Sequence, residues 1–166
     1  MPPAPPNKET QTQYYQALLT VTGWTTAHLR DTAKIQGLPV RGLPAHFLHQ
    51  RITARLYPRT RADGRLYNLT VVRARVAHPN EPNQDSFTVV GHLIRVDPSD
   101  GTLRIGIHPQ HPNVSPFTLY VRGTRSVIAS VNPEWAGVEL HGSLIDNMMV
   151  LERAAAAKIL LPRQKS

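Results

Sequence analysis

Apolar and polar residues alternate along most of the chain after residue 45, and this period of two predicts β-strands. In "RITARLY" the residues Ile52, Ala54 and Leu56 share one face, while the residues between them share the other. The same alternation recurs in "TLRIGIH" and "FTLYVRG". Breaks rich in glycine, proline and asparagine separate these runs, so the pattern predicts a mainly β protein built from short strands.

The chain before residue 46 shows a different pattern. In "KETQTQYYQALLTVT" the apolar residues have a roughly helical spacing that stops before Gly23, and "TTAHLRDTAKIQG" has the features of a second short helix. We therefore expect a helical segment with a Gly/Pro connector over residues 8–45, after a disordered proline-rich tail at residues 1–7. The first helix could pack on the β-strands of its own chain or on another copy of the chain. The second arrangement would make a homo-oligomer.

The segment "RITARLYPRTRADGRLYNLTVVRARV" is unusually cationic. It holds seven arginines and two tyrosines but a single acid, Asp63. Two β-like runs flank the turn "TRADG", which predicts an Arg/Tyr-rich β-hairpin over residues 46–78.

The expected hairpin register places Tyr57 opposite Arg65 and Arg55 opposite Tyr67. Cations and rings would then alternate across the strand pair. Such a face could also be a solvated one, whose arginines keep an exposed strand edge from pairing with other chains. However, one acid among seven arginines leaves strong repulsion that a polyanion would relieve.

The overall charge points in the same direction. The chain has nineteen lysines and arginines but eleven aspartates and glutamates, which gives a formal charge of +8 and a pI near 10.4. Fifteen of the nineteen are arginines, whose planar fork grips phosphate and stacks on bases. The composition therefore favours a polyanionic partner such as nucleic acid.

The order of segments after residue 85 is more specific. It runs through "VVGHLIRV", the hairpin ending in "TLRIGIH", "FTLYVRG", a short helical stretch in "TRSVIASVNPEW" and "GVELHGSL". With glycines at 91, 123, 137 and 142, this order resembles the OB-fold of single-stranded-DNA-binding proteins. The resemblance implies a five-stranded barrel over residues 86–162, which we expect to end in an Ala-rich helix before a basic tail at residues 163–166.

The resemblance and the hairpin together predict a non-enzymatic nucleic-acid-binding protein, mainly for single-stranded DNA and with little sequence preference. DNA is favoured over RNA because the family that the chain resembles binds DNA. Arginines would hold phosphates while rings stack on bases. The predicted binding residues are Arg51, Arg55, Tyr57, Arg59, Arg61, Arg65, Tyr67, Arg73, Arg75, Arg104, Tyr120 and Arg122.

Two other functions stay open at this point. The N-terminal helices could bind duplex DNA, and the basic ribbon could instead dock on an acidic protein partner in an assembly. A catalytic role is not expected, because the chain has no cysteine, no Gly-rich phosphate loop and no Gly-x-Ser-x-Gly nucleophile motif.

No cofactor or metal is expected either. The strongest metal candidate is "HPQHP", with His108 and His111 joined by His92 or His141, but its prolines indicate a loop turn. No apolar run approaches the roughly 20 residues of a membrane helix, so we expect no membrane partner. The expected location is the cytoplasm, on the nucleoid if the source is bacterial.

Overall fold

The computed structural model describes residues 12–30, 32–109 and 113–159. The predicted tails at residues 1–7 and 163–166 lie outside these ranges. The strands are β1 (Thr12–Gln13), β2 (Gln16–Ala27), β3 (Thr32–Ile35), β4 (Leu38–Arg41), β5 (Arg51–Thr60), β6 (Leu66–Val76), β7 (Asp85–Asp97), β8 (Thr102–Ile107), β9 (Phe117–Arg122), β10 (Gly137–Ile145), β11 (Met148–Ala156) and β12 (Lys158–Ile159). A 3-10 turn spans Ala45–Phe47, and one helix, α1, spans Arg125–Ala129.

Strands β2 to β6 close into a five-stranded barrel, the first barrel. β2 pairs antiparallel with β3 and with β5, β3 pairs with β4, and β5 pairs with β6. A short parallel pairing of β4 with β6 closes the ring. Its interior is filled by alternating apolar side chains such as Leu19, Ile35, Ile52 and Leu56, none of them exposed.

Strands β7 to β11 close into a second barrel with the same order. β7 pairs with β8 and β10, β8 with β9, and β10 with β11, while β9 and β11 are parallel. This closed barrel confirms the predicted OB-like architecture. The short helix expected between its third and fourth strands is α1, which buries Ile128. Its N-cap is Thr124, whose hydroxyl accepts a hydrogen bond from the Val127 amide.

The two barrels are joined through their first strands. β2 pairs antiparallel with β7, from Gln16 opposite Val90 to Val21 opposite Asp85. The ladder is extended by a hydrogen bond of 2.8 Å from the Thr22 amide to the Gln84 carbonyl. Each barrel is therefore held to the other by backbone hydrogen bonds as well as by packing.

The predicted N-terminal helical segment at residues 8–45 is wrong for the described residues, which form β1 to β4 and the connections between them. The paired apolar residues Leu18 and Leu19 mimic a helical spacing, but they point to opposite sides of β2. Threonine, valine and tryptophan dominate the rest of that strand and favour extended backbone. Without these helices, duplex binding through them has no structural basis.

The predicted C-terminal Ala-rich helix is also wrong for the described residues. Three of its four alanines belong to β11, where Ala154, Ala155 and Ala156 pair with Leu140, Glu139 and Val138. Pairing with β10 overrides the helix propensity of alanine, which is the highest among the residues but small in energy next to tertiary contacts.

The Arg/Tyr-rich hairpin exists, as β5 and β6, and it is part of the first barrel. Its register differs from the expected one: Arg59 lies opposite Tyr67, Tyr57 opposite Thr70, and Arg55 opposite Arg73. The ladder shifts twice, between Arg55 and Leu56 and between Tyr57 and Arg59. Each bulge places an extra residue in one strand, so the pairing no longer follows the simple alternation that the sequence pattern predicts.

Two glycines of the second barrel, Gly91 and Gly142, lie at close approaches between strands. A Cβ at Gly91 would lie 2.6 Å from the Gly106 carbonyl oxygen and 2.6 Å from a methyl group of Ile105. A Cβ at Gly142 would meet the Val150 carbonyl oxygen and lie 2.7 Å from the Phe87 ring. Glycine is needed at both positions because any side chain would force the strands apart.

We expect Gly91→Ala to lower the free energy of unfolding by about 1–3 kcal/mol, the usual cost of overpacking a core. Gly106→Ala is the matched control: the closest atom to its Cβ would be the tip of the Ile94 side chain, at 3.3 Å, so a smaller change is expected. Denaturant unfolding of the two variants measures the difference. Equal stability of Gly91→Ala and the parent would contradict this account.

Candidate nucleic-acid interface

The turn of the β5–β6 hairpin lies against the second barrel. The Thr60 hydroxyl accepts a hydrogen bond of 2.7 Å from the Tyr120 amide in β9. The Leu66 amide donates to the Asn147 carbonyl, 2.9 Å away, in the turn between β10 and β11. The cationic end of the hairpin is therefore held beside the second barrel.

Three guanidinium groups lie over aromatic rings in this region. The distances from guanidinium carbon to ring centroid are 3.5 Å for Arg59 and Phe117, 5.1 Å for Arg61 and Tyr67, and 5.5 Å for Arg104 and Tyr120. All three fall within the range of a cation–π contact. We refer to these six residues and Arg122 as the seam.

Arg59 is the most enclosed cation of the seam. Its side chain is half-buried, and desolvation lowers the pKa of its guanidinium, although arginine keeps its charge in proteins. One of its nitrogens donates to the Pro58 carbonyl, at 2.9 Å. No carboxylate among the described residues pairs with it, so this charge is left for a ligand to balance.

Arg122 connects the hairpin turn to β9. Its guanidinium donates to the Thr102 hydroxyl at 3.1 Å, and its stem passes close to Gly64, where a Cβ would lie 2.8 Å from the Arg122 Cγ. Gly64 also has a positive φ of 90°, which a side chain would disfavour. The turn can approach β9 because residue 64 is a glycine.

Two of the predicted binding arginines have partners in the loop that joins the two barrels. Arg51 donates to the Asn83 side chain at 2.7 Å and to the carbonyl groups of His78 and Glu81. Arg75 forms an ion pair of 2.6 Å with Glu81. Both arginines thereby hold the loop between β6 and β7 on the outside of the first barrel.

The other predicted residues lie apart from the seam or at its border. Arg55 and Arg73 face each other across β5 and β6 as exposed like charges, which disfavours the pairing unless an anion lies nearby. Arg65 is exposed and pairs with Asp63 at 3.8 Å, an ion pair of little energetic weight. Tyr57 borders the seam beside Arg59, in the wall of a cavity.

The list of predicted binding residues leaves out three aromatic residues of this region. Phe117 contacts Arg59 across a separation that no local pattern reveals. The helical prediction covered Tyr14 and Tyr15, but their adjacency in an extended segment places one outside, 59% exposed, and one inside, 9% exposed. The strand-favouring residues that follow them were the available signal.

Among the described residues, no three histidines or acids come together in a group that could hold a metal ion. His111 of the "HPQHP" candidate lies outside those residues. The described helices are all too short or too polar to cross a membrane.

The fold is similar to a solved structure. The crystal structure of a deletion mutant of the single-stranded DNA binding protein from Thermus aquaticus superposes with a TM-score of 0.54, at 16% sequence identity, over 92% of this chain and 99% of that chain. At this identity the likeness shows the fold alone, which is the OB fold. No protein-family model and no curated protein sequence matches the chain.

The contacts of Glu81 in the loop between β6 and β7 should make the stability of the fold depend on pH. The hydrogen bond from Thr53 and the one from Arg75 lower the pKa of this carboxyl below its ordinary value of 4.5. A carboxyl with a depressed pKa stabilises the fold above its unfolded pKa and loses that contribution as the pH falls through its folded pKa. Glu81→Gln should therefore be less stable than the parent at pH 7, and the gap should close below about pH 4.5.

Thermal unfolding of both proteins between pH 7 and pH 3 measures this gap. Glu134→Gln is the control, since Glu134 is exposed and forms no ion pair within the described residues. A gap that persists unchanged at low pH would mean that the Glu81 charge is not responsible.

Proposed function

We propose that this chain binds single-stranded DNA along the seam, with little sequence preference and without chemical conversion. The observation that carries the proposal is the repeated placement of a guanidinium over an aromatic ring on β8, β9 and the hairpin turn. In OB folds, oligonucleotides bind across the second and third strands and the adjoining loops. β8 and β9 are those strands in the second barrel.

Charge supports an anionic ligand. Arg59, Arg61 and Arg104 form no close ion pair among the described residues, and the whole chain carries a formal charge of +8. Phosphates of a bound strand would supply the missing anions and release their own counterions. The binding would therefore weaken as salt concentration rises.

The rings support a single strand over a duplex. Tyr67 and Tyr120 can stack only on base faces that are accessible, and a duplex keeps those faces inside its stack. We propose DNA over RNA because the similar structure is that of a single-stranded DNA binding protein. An RNA strand of the same sequence distinguishes the two, since the 2′-hydroxyl changes the contacts available to the protein.

The salt dependence of binding should reside in the seam arginines. For a single strand, the slope of log affinity against log salt is about −0.7 for each phosphate that the protein neutralises. We expect the double variant Arg61→Ala/Arg104→Ala to reduce the magnitude of the slope by about 0.7 for each phosphate that is no longer neutralised. Fluorescence anisotropy with labelled single-stranded, duplex and RNA oligonucleotides across a salt series provides the measurement.

The matched control is Arg125→Ala/Arg153→Ala, which removes the same charge from exposed residues outside the seam. Its slope should equal that of the parent. If both double variants change the slope equally, binding follows net charge and not the seam. If the parent binds no strand at low salt, single-strand binding is ruled out, and docking on an acidic protein becomes the better account.

Ring stacking should contribute affinity that salt does not remove. Tyr57→Ala/Tyr67→Ala should weaken single-strand binding by about 1–3 kcal/mol per stacked base while leaving the salt slope nearly unchanged. Tyr57→Phe/Tyr67→Phe keeps both rings and should bind like the parent. The same anisotropy titrations test this, and equal affinities for the alanine and phenylalanine variants would show that the rings do not contact bases.

A further inference from the structure

A cavity of about 510 Å³ lies where the two barrels meet, next to the seam. Its walls come from both barrels: Tyr14, Tyr15 and Tyr57 from the first, and Phe117 from the second. The volume falls within the range of small-molecule sites, roughly 300–1,000 Å³. Tyr14 and Tyr57 are 59% and 52% exposed, so their rings are accessible to a ligand.

The cavity also has a cationic wall. Arg59 lines it with its guanidinium over the Phe117 ring, half-buried and without a carboxylate partner among the described residues. A cation so placed favours an anion at the mouth of the cavity. Aromatic walls beside one such charge suit a ligand that combines a flat ring with a phosphate.

A third feature is an unused polar group on a residue that lines the cavity. Tyr15 is only 9% exposed, and its buried hydroxyl has no hydrogen-bond partner among the described residues. Its ring packs against the rings of His92 and His108, each 5.2 Å away between centroids. Burial raises the pKa of Tyr15, so the hydroxyl stays protonated and can both donate and accept a hydrogen bond.

We propose that this cavity binds one nucleotide of the single strand, with its base turned out of the stack between the aromatic walls and its phosphate on Arg59. The polar edge of the base bonds to the Tyr15 hydroxyl, which has to turn from its buried position toward the cavity to make this contact. The proposal rests on the proposed function and adds a base-selective position to it. Contacts along the seam accept any base, whereas a hydrogen bond within the cavity distinguishes bases by the pattern of groups on their edges.

The first test compares strands of equal length made of thymidine, deoxycytidine or deoxyadenosine, measured by anisotropy at one salt concentration. We expect unequal affinities. Placing one copy of the preferred nucleotide in a strand of the least preferred should restore most of the difference, because only one base enters the cavity. Tyr15→Phe, which removes one hydroxyl, should reduce the preference by about three- to tenfold, the value of one hydrogen bond.

A second variant fills the cavity without removing any proposed contact. Ala17 lines the cavity, and Ala17→Leu should weaken binding of the preferred strand by about tenfold, the value of one stacked base. Binding of a strand made wholly of abasic nucleotides should be unchanged. Ala45→Leu, the same substitution at an exposed alanine in the 3-10 turn, is the control for both strands.

The outcomes separate this inference from the proposed function. If the parent binds no single strand, the proposed function fails and the cavity proposal fails with it. If the three strands bind equally, or if Tyr15→Phe and Ala17→Leu both behave like the parent, single-strand binding stands and the nucleotide site alone is overturned. Thermal unfolding of Tyr15→Phe should show no loss of stability, because the hydroxyl it removes is unpartnered within the described chain.

Discussion

Antiparallel pairing between β2 and β7 determines how everything else is arranged. The ladder from Gln16 opposite Val90 to Val21 opposite Asp85 fixes the two barrels at one separation and one orientation. Only in that orientation does the hairpin turn reach β9, where the Tyr120 amide donates to the Thr60 hydroxyl. Backbone pairing is suited to this task because a shift by one residue would turn every side chain to the wrong face.

The seam is a consequence of that arrangement. Arginines of the first barrel lie over rings of both barrels, and the cavity takes its walls from each side. Neither barrel alone carries the complete set of groups. The arginines fall into two groups. Arg51 and Arg75 hold the loop between β6 and β7. Arg59, Arg61 and Arg104 form no close ion pair among the described residues.

The sequence predicts the parts of the fold in which local pattern and long-range pairing agree. The second barrel can be predicted from the sequence because its strands alternate cleanly and its glycines mark the bends, as at Gly91 and Gly142. The first barrel cannot be predicted in this way. Its strands β3 and β4 have only four residues each, and the adjacent leucines of β2 have a spacing that resembles that of a helix. The hairpin was predicted but its register was wrong, since bulges depend on neighbouring strands.

The candidate site divides in the same way. Cations and rings within the hairpin, such as Arg61 and Tyr67, follow from composition and strand period. Arg59 over Phe117 does not, because the contact joins two barrels whose relative position the sequence pattern does not encode. The unpartnered Tyr15 hydroxyl is likewise visible only once its surroundings are known.

Two barrels of the same strand order within one chain have a consequence for how such a protein can vary. In an assembly of identical subunits, each substitution is repeated in every copy by symmetry. Here a change in one barrel has no counterpart in the other. Each half can thus change its own wall of the recess between them while the wall from the other half stays as it is.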